Sequence, residues 1–71
     1  PLAIKGLVTD ANVKITDVNG NLVNEFTAEG GQVVWNGETQ DGKRVTSGVY
    51  LIYSSNEGGT ELFMTKLLVI R

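Results

Sequence analysis

The sequence predicts an all-β domain, a small antiparallel β-sandwich or barrel of about six to seven strands, and three observations carry the prediction. Glycine turns punctuate the chain at Asp17-Val18-Asn19-Gly20-Asn21, Trp35-Asn36-Gly37, Asp41-Gly42-Lys43 and Ser47-Gly48-Val49-Tyr50. Between turns, apolar and polar residues alternate with the period of a half-buried strand. The turns recur every roughly 8 to 12 residues, as in sandwiches of short strands, and no stretch carries a convincing helical period.

The first strand is placed at residues 2–8, with Pro1 at its start, where a missing N–H is tolerated. Residues 11–18 set Val13 and Ile15 against Lys14 and Thr16. Asn19-Gly20 then offers the positive φ angles of a tight hairpin, and residues 22–28 return beside the second strand. Glu29-Gly30-Gly31 turns the chain again, and residues 32–36 form a short strand with the single tryptophan, Trp35. The polar, glycine-punctuated stretch 37–46 reads as a loop. The last two strands are residues 47–55 and 61–70, joined by Asn56-Glu57-Gly58-Gly59-Thr60.

Those last strands are apolar on both faces. Val49, Leu51 and Tyr53 oppose Tyr50 and Ile52, while Leu62, Met64, Leu68 and Ile70 oppose Phe63, Leu67 and Val69. Only one face of each sheet in a two-layer sandwich meets the other sheet. The second face is therefore either covered by the 37–46 loop and the strand ends or is a docking surface for another domain or subunit.

A chain of 71 residues allows one domain and one small core, with roughly 60% of the unfolded surface buried. It has neither cysteine nor histidine, so disulfides and common zinc sites are not available to reinforce that core, and cysteine usage does not set the compartment. Six basic residues stand against eight acidic ones, and Lys5, Lys14, Lys43, Arg44, Lys66 and Arg71 are scattered, which argues against nucleic acid as a partner. No run of about 18 apolar residues is present to form a transmembrane segment. The opening at Pro1, without a basic start and apolar signal region, reads as an excised or processed piece whose targeting information lay upstream.

Candidate chemistry is sparse. Asp17, Asn19 and Asn21 imitate the first oxygens of a calcium loop, but glycine falls at the fourth position instead of the sixth and Ala28 stands where the bidentate glutamate belongs, so a plain hairpin accounts for them better. Asp10, Glu38 and Asp41 read as solvated loop carboxylates. Paired hydrolytic acids need a cleft between them. Ser47, Ser54 and Ser55 have no histidine to activate them, and Lys43 or Lys66 needs burial to act as a base. No helix follows any glycine cluster to make a phosphate loop. The sequence thus predicts neither an enzyme nor a cofactor or metal site. Trp35 is expected in the core, with its indole N–H bonded to a loop carbonyl, and a sugar-stacking platform is the alternative.

The order Val13-Lys14-Ile15-Thr16-Asp17-Val18-Asn19-Gly20-Asn21, Trp35-Asn36-Gly37, Asp41-Gly42-Lys43-Arg44-Val45, Ser47-Gly48-Val49-Tyr50 and Lys66-Leu67-Leu68-Val69-Ile70 resembles the Ig-like β-sandwich of flagellar hook-capping proteins and of C-terminal modules of Bacteroidetes secreted proteins. It is most similar to C-terminal domains of the type IX secretion pathway, in particular the one ending the propeller-bearing surface component of the attachment complex, and those of related two-component-regulator-propeller proteins. The likeness runs over nearly the whole chain. The family often has proline before the Gly-x-Tyr, where Thr46-Ser47 stands here.

The resemblance implies a small Ig-like antiparallel sandwich at the end of a larger exported protein of the periplasm or cell surface. In secreted cargo such domains are read by the outer-membrane translocon and then cleaved by a sortase; in the surface component they stay attached. Its implied partners are neighbouring domains of the parent protein and the secretion or attachment machinery. Ser47, Gly48, Val49 and Tyr50, with Lys66, Leu67, Val69 and Arg71, fall on the segments that match its sorting-signal motifs. Two other classes of function stand beside this one: a glycan-binding module using Trp35 and the 37–46 loop, and a structural spacer next to a propeller or sensor domain.

Overall fold

A computed structural model describes residues 2–7, 10–56 and 62–70. They form six strands: β1 (Leu2–Ile4), β2 (Asn12–Asp17), β3 (Leu22–Thr27), β4 (Val33–Trp35), β5 (Gly48–Ser55) and β6 (Leu62–Val69). All pairings are antiparallel, in a four-stranded sheet ordered β3-β2-β5-β6 and a two-stranded sheet β1-β4. The all-β prediction is met with six strands. The 56–60 turn lies outside the described residues apart from Asn56, as do Pro1, Val8, Glu61 and Arg71.

Alternation explains the core. Val13 and Ile15 of β2 are fully buried, with Phe26 and Asn24 across β3 and Ser54 and Ile52 across β5. Leu2, Ile4, Val33 and Trp35 close over them from the two-stranded sheet, and Tyr50 completes the cluster. Trp35 is 2% exposed, as expected of a core plug. Its indole N–H donates to the Glu38 carbonyl at 2.9 Å, and its ring meets Tyr50 edge-on at 5.7 Å between centroids. The polar atom of the largest core side chain is thereby satisfied without water.

The β2–β3 hairpin differs from the expected turn in one respect. Gly20 takes a φ of +85° but Asn19 does not share the positive φ, so only one of the two residues is left-handed. Gly20 N–H donates to the Asp17 carbonyl and Asp17 N–H to the Asn21 carbonyl, the pattern of a three-residue loop with a left-handed glycine. A second irregularity follows: the register moves from Ile15↔Asn24 to Thr16↔Leu22, and the extra residue, Val23, turns onto the core.

The first strand is shorter than the predicted 2–8. Gly6 at φ +77° ends the pairing, and Leu7 N–H instead donates to the Gly31 carbonyl at 2.9 Å. The 37–46 stretch is a loop as predicted, with its own turn: Thr39 N–H bonds the Lys43 carbonyl and Glu38 bridges to Arg44. Val45 is buried, Gln40 N–H reaches the Val23 carbonyl and the Asn24 side-chain amide donates to the Glu38 carbonyl. These bonds hold the loop along β3 and beside Trp35.

Candidate functional site

The two sequence segments singled out for interaction are far apart in the chain and adjacent in the fold. Antiparallel pairing of β5 with β6 sets Gly48 opposite Val69, Val49 opposite Leu68, Tyr50 opposite Leu67 and Leu51 opposite Lys66. Gly48, Leu67 and Val69 are half-buried on the core side. Ser47, Val49 and Lys66 are exposed, and Arg71 lies outside the described residues. Tyr50 is buried rather than presented: its ring packs on Trp35 and its hydroxyl donates to the Thr46 carbonyl at 2.7 Å. It anchors the start of β5.

The outer face of the same strands is open. Val49 is 40% exposed, Tyr53 39%, Met64 50% and Leu68 62%, with Leu51 half-buried between them. Register pairs Val49 with Leu68 and Tyr53 with Met64, and between these two pairs Leu51 stands opposite the exposed Lys66, so the apolar side chains of this face flank one lysine. Leu62 and Ile70, each 79% exposed, extend the patch at either end. The expected cover by the 37–46 loop is not found, because the loop's bonds tie it to β3 and, among the described residues, Val49, Tyr53, Met64 and Leu68 stay exposed. Next to the patch the face turns polar, with Lys14 of β2 opposite Glu25 of β3.

Tyr53, Met64 and Leu68 are absent from the interaction residues named by motif, although the alternation of β5 and β6 had assigned them to this face. Phe63 lies on the opposite face of β6. It shares the core side with Ser54 yet is 65% exposed. The reason is length: β1 and β4 have three residues each and cannot cover the far end of an eight-residue hairpin. A cavity of about 530 Å³ opens there, with Ile4, Leu7, Ala11, Ile52, Phe63 and Thr65 in its walls.

The polar candidates resolve into structure. Asp17 Oδ1 accepts the N–H groups of Asn19 and Asn21, each at 2.9 Å, and Oδ2 accepts the Asn21 side-chain amide at 3.0 Å. The Asn21 amide, first, and these N–H groups hold the Asp17 carboxyl below the usual carboxylate range. Its oxygens serve the turn, an Asx arrangement, and do not converge on an ion. Among the described residues no three carboxylates cluster. Trp35, with its N–H committed and its ring enclosed, has no face free for a sugar. Among the described residues no helix is long and apolar enough to cross a membrane.

Compared with protein-family models, with curated proteins and with solved structures, the chain matches nothing.

Proposed function

We propose that this chain is a non-catalytic, Ig-like interaction module of a larger exported protein, docking through the outer face of β5 and β6 as a type IX sorting signal or attachment domain. The observation that carries the reading is the uncovered patch of Val49, Tyr53, Met64 and Leu68. A face of this kind on a small domain marks a contact surface, because its burial removes apolar area from water at about 25 cal/mol per Å². Two further features support the Ig-like assignment. Two antiparallel sheets enclose one core, and Tyr50 bonds through its hydroxyl to a main-chain carbonyl four residues upstream, in the manner of the tyrosine corner of Greek-key sandwiches. The convergence of the Gly48 to Tyr50 segment with Leu67 and Val69 makes the two motif-matching stretches one structural unit.

The test is a secretion assay in a bacterium carrying the type IX pathway, with a reporter protein fused upstream of residues 1–71. Reporter outside the cell, with the module removed or modified, supports a sorting signal. Reporter displayed on the surface with the module intact supports attachment, and reporter retained inside contradicts export by this module. The burial of Trp35 weighs against the glycan-binding alternative.

A further inference from the structure

Four strand edges end the two sheets, and three of them are protected. Along β3, Gln40 N–H takes the Val23 carbonyl and the Asn24 side chain is tied to Glu38, while β1 and β4 are three residues long. Natural sheets blunt their edges in these ways, and with charges, prolines or bulges. β6 has none of these beyond one lysine. It runs eight residues in unbroken register with β5, contains no proline, carries Lys66 as its single charge and, among the described residues, has no main-chain partner on its far side.

We propose that this edge pairs with itself: two copies of the chain join β6 to β6 antiparallel about a two-fold axis normal to the sheet, giving one continuous eight-stranded sheet. Directly opposed residues in an antiparallel pair share a face, so a two-fold of this kind allows only registers that match outer-face with outer-face residues. Centring on Lys66 sets two ammonium groups against each other, which opposes pairing. Centring on Thr65 sets Thr65 against the second copy's Thr65, Phe63 against its Leu67, Leu62 against its Leu68, and Met64 against the stem of its Lys66. From Leu62 to Leu68 every apolar side chain then meets an apolar surface, and the lysine heads stay in water. The seven residues paired in this register, Leu62 to Leu68, span about 24 Å of strand. Covering that edge and its flanking side chains removes on the order of 1,000 Å² in total, the lower limit for a specific interface, so the dimer is expected to be weak and concentration-dependent. Phe63, left uncovered by the short sheet of its own chain, gains a neighbour.

The inference does not rest on the proposed docking role, because pairing uses the edge of β6 and leaves the outer face open. Its test is sedimentation of the 71-residue chain from low micromolar to submillimolar concentration, with cysteine pairs as a register probe in a chain that has no cysteine of its own. The mass should rise from 7.6 kDa toward twice that value with concentration. Thr65→Cys should oxidise to a symmetric disulfide under copper-phenanthroline in air, since opposed Cα atoms lie about 4.5–5.5 Å apart, whereas Lys66→Cys, displaced beyond about 7 Å, should not. Thr65→Lys should return the mass to 7.6 kDa, and mixing it with Thr65→Glu should restore the dimer. A single-chain mass at every concentration, cross-linking of Lys66→Cys in preference to Thr65→Cys, or a dimer that survives Thr65→Lys would overturn the proposal. Trp35 emission reports whether each variant folds; should Thr65→Lys unfold, the cysteine pair still decides.

Discussion

Gly30 and Gly31 are neighbours in one turn, both left-handed at φ +60° and +78°, yet replacing them with alanine should have very different consequences. A β-carbon on Gly30 meets nothing within 4 Å. Its cost is the left-handed conformation alone, about 1 kcal/mol. A β-carbon on Gly31 lies 2.8 Å from the Leu7 carbonyl oxygen, a main-chain atom that cannot swing aside. The same segment is held by Leu7 N–H donating to Gly31 O at 2.9 Å, so relieving the clash stretches a hydrogen bond and lifts the chain after β1 off the turn. Overpacking of this kind costs a further ~1–3 kcal/mol, bringing Gly31→Ala to roughly 2–4 kcal/mol. Urea denaturation followed by Trp35 emission measures both variants, because the single tryptophan sits in the core next to Val33. For a domain this small the larger loss consumes most of its stability, so sulfate in the buffer keeps a folded baseline. Equal losses for Gly30→Ala and Gly31→Ala would refute the argument that close approach of Leu7, rather than φ, selects glycine at position 31.

Two other outcomes follow from the hydrogen bonds. Tyr50→Phe keeps the ring against Trp35 and loses only the bond to the Thr46 carbonyl; it should cost about 1 kcal/mol in urea denaturation with the fold unchanged, and a loss near zero would show that the bond does not anchor β5. The Asp17 carboxyl titrates below its unfolded value, so its contribution is fully present above about pH 4 and is lost as pH falls through the lower folded value. The stability gap between the wild type and Asp17→Ala should stay constant from pH 7 to about pH 5 and narrow in stronger acid; a gap that widens on acidification would contradict the turn assignment.

The sequence made the strands legible because alternation and turn glycines are local signals. Val13 and Ile15 declare a buried face without knowledge of their neighbours, and Gly20 marks its turn by the conformation it alone tolerates. Trp35 was readable as a core plug for the same reason, its area being too large to leave wet. The length of the first strand was not legible, since Leu7 leaves β1 for a main-chain bond to Gly31, a contact between segments 24 residues apart. Nor was the course of the 37–46 loop, which depends on Gln40 and Asn24 finding partners across the fold. Both apolar faces of the last hairpin were visible in the alternation. Which one stays open was not, because that depends on where the loop goes and on how short β1 and β4 are. Tyr50, chosen by motif, proved to be an anchor inside the core, while Met64, and Leu68 within the matching 66–70 stretch, neither of them singled out for interaction, stand on the open face.

The central claim is that this face is what a partner reads. Replacing Leu68 with lysine touches no core contact and should leave stability within about 0.5 kcal/mol. The deciding measurement compares the wild-type module with Leu68→Lys, each fused behind the same reporter in a bacterium with the type IX pathway. The account predicts export or surface attachment with the wild type and its loss with Leu68→Lys, while Trp35 emission stays that of a buried indole. Export or attachment undiminished by Leu68→Lys would contradict it.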